Sequence, residues 1–300
     1  MERRHTQCAY GSIDSFTPFK GVVKRKPLAN LSLSCTEKAV ILGGLLGSGV
    51  LKLVRGSSSE TNACYSFCHS ITDTNYFEFK EQALASISSS KSLSSTASAV
   101  INAVACGGGK KRAVGKRAQR VDNSIKHGPP KLLNGPKVCY QSRALHPLTQ
   151  IHSITHKKNQ LVIRRKWLNH LTTLSLAIWW FDNGSIVGGG RKGCLCTDGS
   201  TEDGCNILSR YLLVVWGVRA RVSPVKGKRA QQEHRLWFST NQLKSFLHII
   251  LPHLPCAEMV YKCVIRYKKN QLQQRWISHI LERCPTHLRG DVLSIIKKGA

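Results

Sequence analysis

The chain has 300 residues, 41% of them hydrophobic, and its 45 Lys and Arg against 16 Asp and Glu give a formal net charge of +29. The hydrophobic content excludes a wholly disordered chain, and the length allows one large domain or two of ordinary size. Because the positive charge is spread over most of the sequence, it favours a polyanionic partner, above all nucleic acid. The alternative is a solvated cationic surface without a specific partner.

The sequence does not predict a secreted or membrane protein. Residues 1–26 lack the continuous apolar core of a secretory signal, and the apolar stretch 39–54 is shorter than the about 20 residues that span a bilayer. The 12 cysteines include no C-x-x-C pair, and Cys64, Cys68 and His69 lack a second ligand pair at zinc-finger spacing. We therefore expect reduced cysteines that act as small core residues in an intracellular or organellar compartment, and no membrane partner.

The first regular structure follows a flexible, basic N-terminal arm, residues 1–33. Ser34 and Glu37 fit a capping box, and the apolar run after them predicts a helix that ends at a Gly-Ser-Gly corner. The segments "VLKLVRG" and "NACYSFCHS" then predict strands, and a second helix is expected from Asp73 to Ala85. These elements define the start of a first half, residues 34–87.

Residues 88–136 have a different character, rich in Ser, Gly and Lys and almost without periodicity. We predict a disordered insertion here, and a solvated charged loop is favoured over a specific binding element. Residues 137–170 are the remainder of the first half and a linker. They predict a strand and then a helix that begins near Pro147.

Residues 171–265 predict a second half. Thr172 and Thr173 are candidate caps of an apolar helix, and "RKGCLCTDG", "VRARVSPV" and "HRLWFST" predict strands around the helix "STEDGCNILSRYLLVVWG". The segment "NQLKSFLHIILPHL" predicts a further helix, and residues 266–300 form a basic C-terminal extension. Both halves share one order, a capped apolar helix that ends at a glycine-containing corner, then strands, then a helix, which indicates an internal repeat.

The two capped helices are expected to pack side by side. Gly43 and Gly47 are four residues apart, so they share one helix face and allow another backbone to approach closely. This packing brings the corners Gly47–Gly49 and Asp182–Gly184 together. The strands beside them would form a saddle whose alternating side chains can enter the DNA major groove.

At these two corners the sequence resembles the LAGLIDADG homing endonucleases of organellar introns. The first motif corresponds to "ILGGLLGSG", Ile41–Gly49, and the second to "LAIWWFDNG", Leu176–Gly184. The flanking segments "YSFCHSITDTNYFEFK", "CLCTDGST" and "LPHLPCAEMVYKC" are also similar, so that the likeness covers about residues 35–86 and 137–265. The resemblance implies an α+β fold of two pseudo-symmetric αββαββα halves, packed through the motif helices, with a DNA-binding β saddle. It also implies a monomer in the mitochondrial matrix or chloroplast stroma.

The resemblance further implies an acidic residue just before the last glycine of each motif, where two carboxylates hold divalent metal, Mg²⁺. Here these positions are Ser48 and Asn183, whose neutral oxygens can ligate Mg²⁺ but supply no negative charge. Asp182 is the only nearby acid, about 100° around the helix from Asn183. It is either a substitute metal ligand or, as we favour, a residue of the helix C-terminal turn. The sequence thus predicts a nuclease architecture without its metal-binding carboxylates.

Basic residues on and around the predicted strands are candidates for DNA contact, since Arg reads guanine edges and Lys mostly meets phosphates. Each alone is as consistent with a solvated strand residue. The candidates are Lys52, Arg55, Arg143, Arg191, Lys192, Arg219, Arg221, Lys226, Lys228 and Arg235.

Three hypotheses about function remain open at this point. The first is an intron-encoded, site-specific double-strand DNA endonuclease of this family with impaired cleavage, which uses Mg²⁺ if it is active. The second is an RNA-binding intron maturase, a splicing cofactor that binds intron RNA on the same scaffold and needs no metal centre. The third is a degenerate remnant without function. The sequence does not identify a target site.

Overall fold

The computed structural model describes residues 32–55, 61–89, 137–197, 200–226 and 232–299. Most of the predicted N-terminal arm and residues 90–136 of the predicted insertion lie outside the described residues, so those expectations stay predictions. Ser88 forms a bridge with Ser142, and the Ser89 N–H donates to the carbonyl of Gln141 at 3.1 Å. These two serines therefore belong to the first half and not to the insertion.

The first half is a helix-covered antiparallel sheet. Its elements are α1 (Cys35–Leu46), β1 (Val50–Arg55), β2 (Thr61–Ser70), α2 (Thr74–Ala83), β3 (Lys137–Gln141) and α3 (His146–Thr155). The strand order is β1-β2-β3, with Leu51 opposite Tyr65 and Phe67 opposite Tyr140. Within the described residues this half is αββαβα, one strand short of the predicted unit.

Helix α1 begins where the sequence predicts. The Ser34 hydroxyl accepts from the Glu37 N–H at 3.1 Å, and the Ser34 N–H donates to the Glu37 carboxylate at 2.6 Å, which is a capping box. That buried carboxylate also accepts from the Ser86 hydroxyl, which ties the start of α1 to the turn after α2. The helix ends at Leu46 because Gly47 (φ −106°, ψ −120°) turns the chain toward β1.

The second half is a complete αββαββα unit. A short hairpin of β4 (His156–Lys157) and β5 (Gln160–Leu161) and the helix α4 (Arg165–Leu168) lead into it. Its elements are α5 (Thr173–Asn183), β6 (Gly184–Val187), β7 (Lys192–Cys196), α6 (Glu202–Trp216), β8 (Arg221–Lys226), β9 (Gln232–Phe238) and α7 (Thr240–Ile250). The sheet order is β6-β7-β9-β8. Thr172 caps α5 as predicted, whereas the four-residue strand β6 was not expected from the sequence.

The two halves join through α1 and α5. A side chain on Gly43 would meet the backbone of Ser175, with its Cβ only 2.9 Å from the Ser175 Cα and 3.0 Å from the Ile178 Cβ. The helices can approach this closely only because Gly43 has no side chain. Trp179 and Trp180 are fully buried and belong to one continuous hydrophobic core that spans both halves.

The C-terminal extension is ordered and helical. After 3₁₀ turns at Leu251–His253 and Ala257–Lys262, it forms α8 (Asn270–Arg283), a 3₁₀ turn (Thr286–Leu288) and α9 (Arg289–Lys298). Among the residues that the structure describes, no helix has the length and apolar character of a membrane span.

One cysteine prediction is wrong. A disulfide joins Cys68 on β2 to Cys139 on β3, directly opposite each other in the antiparallel register. The two cysteines are 71 residues apart in the sequence and become neighbours only when β2 and β3 pair in the sheet. Their spacing in the sequence therefore could not reveal the bond. The cysteines at 64, 205, 256, 263 and 284 are free and buried, in keeping with the predicted role as small core residues, and Cys194 is buried as well.

Candidate metal centre and nucleic-acid interface

The C-terminal ends of α1 and α5 meet, and positions 48 and 183 lie at this junction. The Asn183 side-chain amide donates to the carbonyl of Leu46 at 3.4 Å and to that of Cys196 at 3.3 Å. Ser48 contacts the neighbouring residue of α5, Asp182, with its hydroxyl and its backbone N–H both 3.0 Å from the carboxylate oxygen Oδ2. The packing predicted from the two motif helices therefore places both positions at one point.

Asp182 is the centre of a buried polar network that links the halves. Its side chain has no exposed surface, and the Lys80 ammonium of α2 lies 3.0 and 3.1 Å from its two carboxylate oxygens. The Tyr76 hydroxyl donates to Oδ1 at 2.8 Å, and His69 Nε2 lies 3.7 Å from the same oxygen. Gly47 completes the enclosure, since a Cβ there would lie 2.8 Å from the Asp182 carboxyl carbon.

The network shifts the pKa of each of its members. Burial alone would raise the pKa of Asp182, but the charges of Lys80 and His69 and hydrogen bonds from Ser48 and Tyr76 outweigh it and lower that pKa. Burial lowers the pKa of Lys80, and the carboxylate partly offsets the effect. Burial and the Lys80 charge lower the pKa of His69 to about 4. Asp182 is therefore ionised at neutral pH, and His69 is neutral there.

The residues at the junction do not fit Mg²⁺. That ion usually needs one or two carboxylates among its oxygen ligands. The Asp182 carboxylate is enclosed and accepts hydrogen bonds from Lys80, Tyr76 and Ser48. Ser48 and Asn183 offer only a hydroxyl and an amide, and both donate to other protein groups. The described residues also contain no cluster of three or more His, Cys, Asp or Glu that could hold a metal ion.

Sequence reasoning missed the lysines of this region. Tyr76 and Lys80 are one helical turn apart on the buried face of α2, and a lysine on an apolar helix face was the signal that could have suggested a buried partner. Lys262 lies at the end of α5, where its ammonium donates to the carbonyl of Phe181 at 2.6 Å. A cation stabilises the negative C-terminal end of a helix. Its place in the closing segment gave no indication of this contact.

Each sheet has an inner face against the helices and an outer face away from them. Tyr65 of β2 points inward, since its hydroxyl fills the space beside Gly44 and Gly49. Gly193 of β7 points inward, where a Cβ would lie 3.3 Å from the Trp180 ring. Strand alternation and register then assign the outer-face residues. The predicted contact residues on the outer faces are Lys52 of β1, Lys192 of β7, Arg221 of β8 and Arg235 of β9.

The remaining candidates do not all lie on these outer faces. Arg55 lies three residues after Lys52 and so alternates to the opposite face of β1. Arg143 follows β3, and its guanidinium donates to the Ser86 carbonyl at 2.7 Å. Arg191 and Arg219 are exposed in the segments before β7 and β8, and Lys226 is the last residue of β8, while Lys228 lies outside the described residues.

Comparison with known proteins finds a family model that matches part of the chain. Residues 115–246, which include α5 and its corner, match the model of the LAGLIDADG DNA endonuclease family. This part of the chain is similar to the LAGLIDADG DNA endonucleases. The matched residues contain one of the two helices that end at the junction and the sheet that follows it.

The individual proteins that this chain resembles are distant in sequence. The structure is similar to that of the homing endonuclease I-WcaI bound to its DNA recognition sequence, with a TM-score of 0.55 and 15% identity over 79% of this chain and 89% of that one. I-DmoI in complex with DNA and Mn matches with a TM-score of 0.38 and 11% identity, covering 72% of this chain and 96% of that one. A curated sequence, Protein RecA of Mycobacterium gastri, is 24% identical over 273 residues. That match covers 85% of this chain but 54% of the relative, so the chain spans about half its length.

Proposed function

We propose that this LAGLIDADG protein binds duplex DNA on the outer faces of its two sheets and that its metal-dependent cleavage of DNA is impaired or lost. The loss of cleavage is inferred from the side chains at the three candidate metal-binding positions, Ser48, Asn183 and Asp182. Both positions expected to be acidic are neutral, and the only neighbouring carboxylate, Asp182, is enclosed by Lys80 and Tyr76. Asp182 therefore acts as the partner of a buried cation and not as a metal ligand.

The shape and charge of the sheets support DNA as the partner. Two antiparallel sheets flank the junction of α1 and α5, and a β ribbon is narrow enough to enter the major groove. The outer faces carry cations that can contact the phosphates and guanine edges of DNA. These cations are Lys52, Lys192, Arg221 and Arg235. I-WcaI, which shares the fold, is bound to its DNA recognition sequence. One chain supplies both halves, so we propose a monomer.

RNA binding is the second candidate, favoured by one observation. A splicing cofactor on this scaffold needs the basic surface and does not need the carboxylates, and here the basic surface is present without them. The two motifs resemble those of homing endonucleases that organellar introns encode. This resemblance supports an intron-encoded origin and a location in the mitochondrial matrix or chloroplast stroma. Finding the reading frame inside an intron that requires this protein for splicing would favour the maturase. A frame in an intron that splices without it would favour DNA binding or a degenerate remnant.

Target selection tests the proposal. The purified protein would be incubated with randomised DNA duplexes and, separately, with randomised RNA, and the retained molecules sequenced. Recovery of a defined duplex sequence, which the protein then binds but does not cut in Mg²⁺, is the expected result. Recovery of RNA alone would replace DNA with RNA as the partner, and rapid cutting of the selected duplex would contradict impaired cleavage.

A further inference from the structure

Exposed cations gather where the second sheet meets the C-terminal extension. Arg191 and Lys192 lie at the turn between β6 and β7, and Arg266, Lys268 and Lys269 lie in the segment that leads into α8. All of them are exposed. We call these residues the outer basic cluster.

A backbone contact holds the two segments together. The Arg266 N–H donates to the carbonyl of Gly190 at 2.7 Å. A Cβ on Gly190 would lie 2.8 Å from the Arg266 side chain, so the turn fits against the extension only with glycine at this position. Gly190 also has φ +82°, a backbone conformation that glycine adopts readily. The cluster is therefore one surface made by two parts of the chain.

The extension is anchored in the core of the second half. The Trp276 side chain of α8 is 1% exposed, and its indole N–H donates to the carbonyl of Cys263 at 3.0 Å. Its ring stacks on His248 of α7 with centroids 5.4 Å apart, and Ile280 and Val292 are fully buried. Cations on a fixed segment lose less conformational entropy on binding than cations on a mobile tail.

The cluster lies at the outer end of the second sheet. Strand β6 starts at Gly184, beside the helix junction, and runs outward to Val187. At about 3.3 Å per residue, the turn after it is roughly 13 Å from the junction. Lys192 also belongs to the outer face of β7, and the contact between Arg266 and Gly190 places Lys268 and Lys269 only two and three residues along the chain from the same turn.

No carboxylate of the described residues neutralises the charges of the cluster. None of its side chains forms an ion pair with a carboxylate of the described residues. In the sequence, the segment between β1 and β2, residues 56–60, reads Gly-Ser-Ser-Ser-Glu and contains no cation. That segment thus has no counterpart of Arg191 and Lys192.

We propose that the outer basic cluster binds the phosphate backbone of DNA that flanks the half-site under sheet β6-β7-β9-β8. This inference rests on the proposed function, since it takes the outer faces as the DNA-binding surface. Contact then continues past the strands on one side of the target only. This asymmetry makes the second half the stronger electrostatic anchor and gives the bound protein an orientation on the duplex.

Two matched double variants of the full chain test the proposal. Lys268→Gln/Lys269→Gln removes charge from the cluster, and Lys297→Gln/Lys298→Gln removes the same charge from the exposed end of α9 in the same extension. The probe is a random-sequence DNA duplex longer than both half-sites. The dissociation constant is measured at several salt concentrations for wild type and both variants, after urea unfolding has shown equal stability.

We expect the cluster variant to lose about 0.9 from the log–log salt slope for each lysine that contacts a phosphate, and the control to keep the wild-type slope. Equal losses in both variants would show a general charge effect and overturn the proposal. A steep wild-type slope that neither variant changes would also overturn it, while leaving DNA binding by the sheets intact. A wild-type slope near zero would overturn the proposed function together with this inference.

Discussion

The Lys80 ammonium of the first half lies 3.0 Å from the Asp182 carboxylate of the second, and neither side chain has exposed surface. This ion pair joins α2 to the end of α5 at the point where the C-terminal ends of α1 and α5 meet. A buried ion pair contributes little net stability over an apolar pair, but removal of one partner leaves an uncompensated charge. The carboxylate nearest the candidate metal centre is thus committed to the protein interior.

Substitution of one partner of this pair should destabilise the protein strongly. Asp182→Asn keeps the shape of the side chain but leaves the Lys80 ammonium without its countercharge, so the free energy of unfolding should fall by about 3 to 5 kcal/mol. Adding Lys80→Met removes the buried cation, and the double variant should recover most of the loss. Urea unfolding measures all three proteins.

A surface pair provides the control for this experiment. Glu282 lies 3.7 Å from His279 and its side chain is 72% exposed, so Glu282→Gln should change stability by less than about 1 kcal/mol. If Asp182→Asn has an effect as small as that of Glu282→Gln, the pair does not hold the halves together as we describe.

The close approach of α1 and α5 should make Gly43 sensitive to substitution. Gly43→Ala places a methyl group 2.9 Å from the Ser175 Cα, and because backbone atoms cannot move aside, we expect a loss of about 1 to 3 kcal/mol. Gly290→Ala in α9 meets no atom within 4 Å and should leave stability unchanged or raise it by up to about 1 kcal/mol. Thermal unfolding of both variants distinguishes the two outcomes, and a harmless Gly43→Ala would refute the packing.

Stability should decrease as the pH falls from about 6.5 to about 4. Burial and the Lys80 charge lower the pKa of His69 to about 4, and burial lowers that of His253 to about 4. The unfolded chain, with an ordinary histidine pKa of about 6.5, binds more protons in this window, so the full stability is present only above it. The effect is on the order of 3 kcal/mol for each histidine.

Urea unfolding at neutral pH and at about pH 5 measures this dependence. His253→Gln should reduce the loss of stability on acidification, whereas the exposed His287→Gln should not. Equal stability of the wild-type protein at both pH values would contradict the assignment.

The disulfide should stabilise the first half. Cys68–Cys139 closes a loop with a sequence separation of 71, for which the chain-entropy model gives about 4 kcal/mol. A reductant should lower the free energy of unfolding of the wild type by up to about this amount and leave Cys139→Ser unaffected. Thiol labelling of both cysteines in the unreduced native protein would show that the bond is absent.

Much of the fold could be predicted from local sequence. The starts of both motif helices are predicted by their capping residues, Ser34 and Thr172, because a cap acts within a few residues. The packing of the two helices is predicted by the spacing of Gly43 and Gly47, because residues four apart lie on one helix face. The second half agrees with its predicted order except for β6, whose four residues are too few to show an alternating pattern.

The polar network and the surface assignment needed the folded chain. Lys80 and Asp182 are 102 residues apart, and which lysine a carboxylate meets depends on how the halves pack. Alternation along β1 puts the side chains of Lys52 and Arg55 on opposite faces of the sheet. Which of the two lies on the outer face is decided only by the folded structure. The extension beyond residue 265 was recognised as basic, but its contact with the β6–β7 turn depends on the anchoring of Trp276.

Restoring both acids tests whether their absence limits cleavage. In Ser48→Asp/Asn183→Asp, two carboxylates at the helix ends supply the charge that Mg²⁺ requires. The Ser48 hydroxyl lies 3.0 Å from Asp182 Oδ2, so an aspartate at position 48 would be repelled by Asp182. We therefore expect the fullest effect when Asp182→Ala and Lys80→Met are added, which removes the competing carboxylate together with its cation.

The most direct measurement is cleavage of the selected DNA duplex by the wild-type protein and by this quadruple variant, each with Mg²⁺ and with a chelator. Our account predicts that both proteins bind the duplex, that the wild type leaves it intact, and that the variant cuts it only when Mg²⁺ is present. Cleavage by the wild type as fast as by the variant would contradict it, since the neutral residues Ser48 and Asn183 would then suffice.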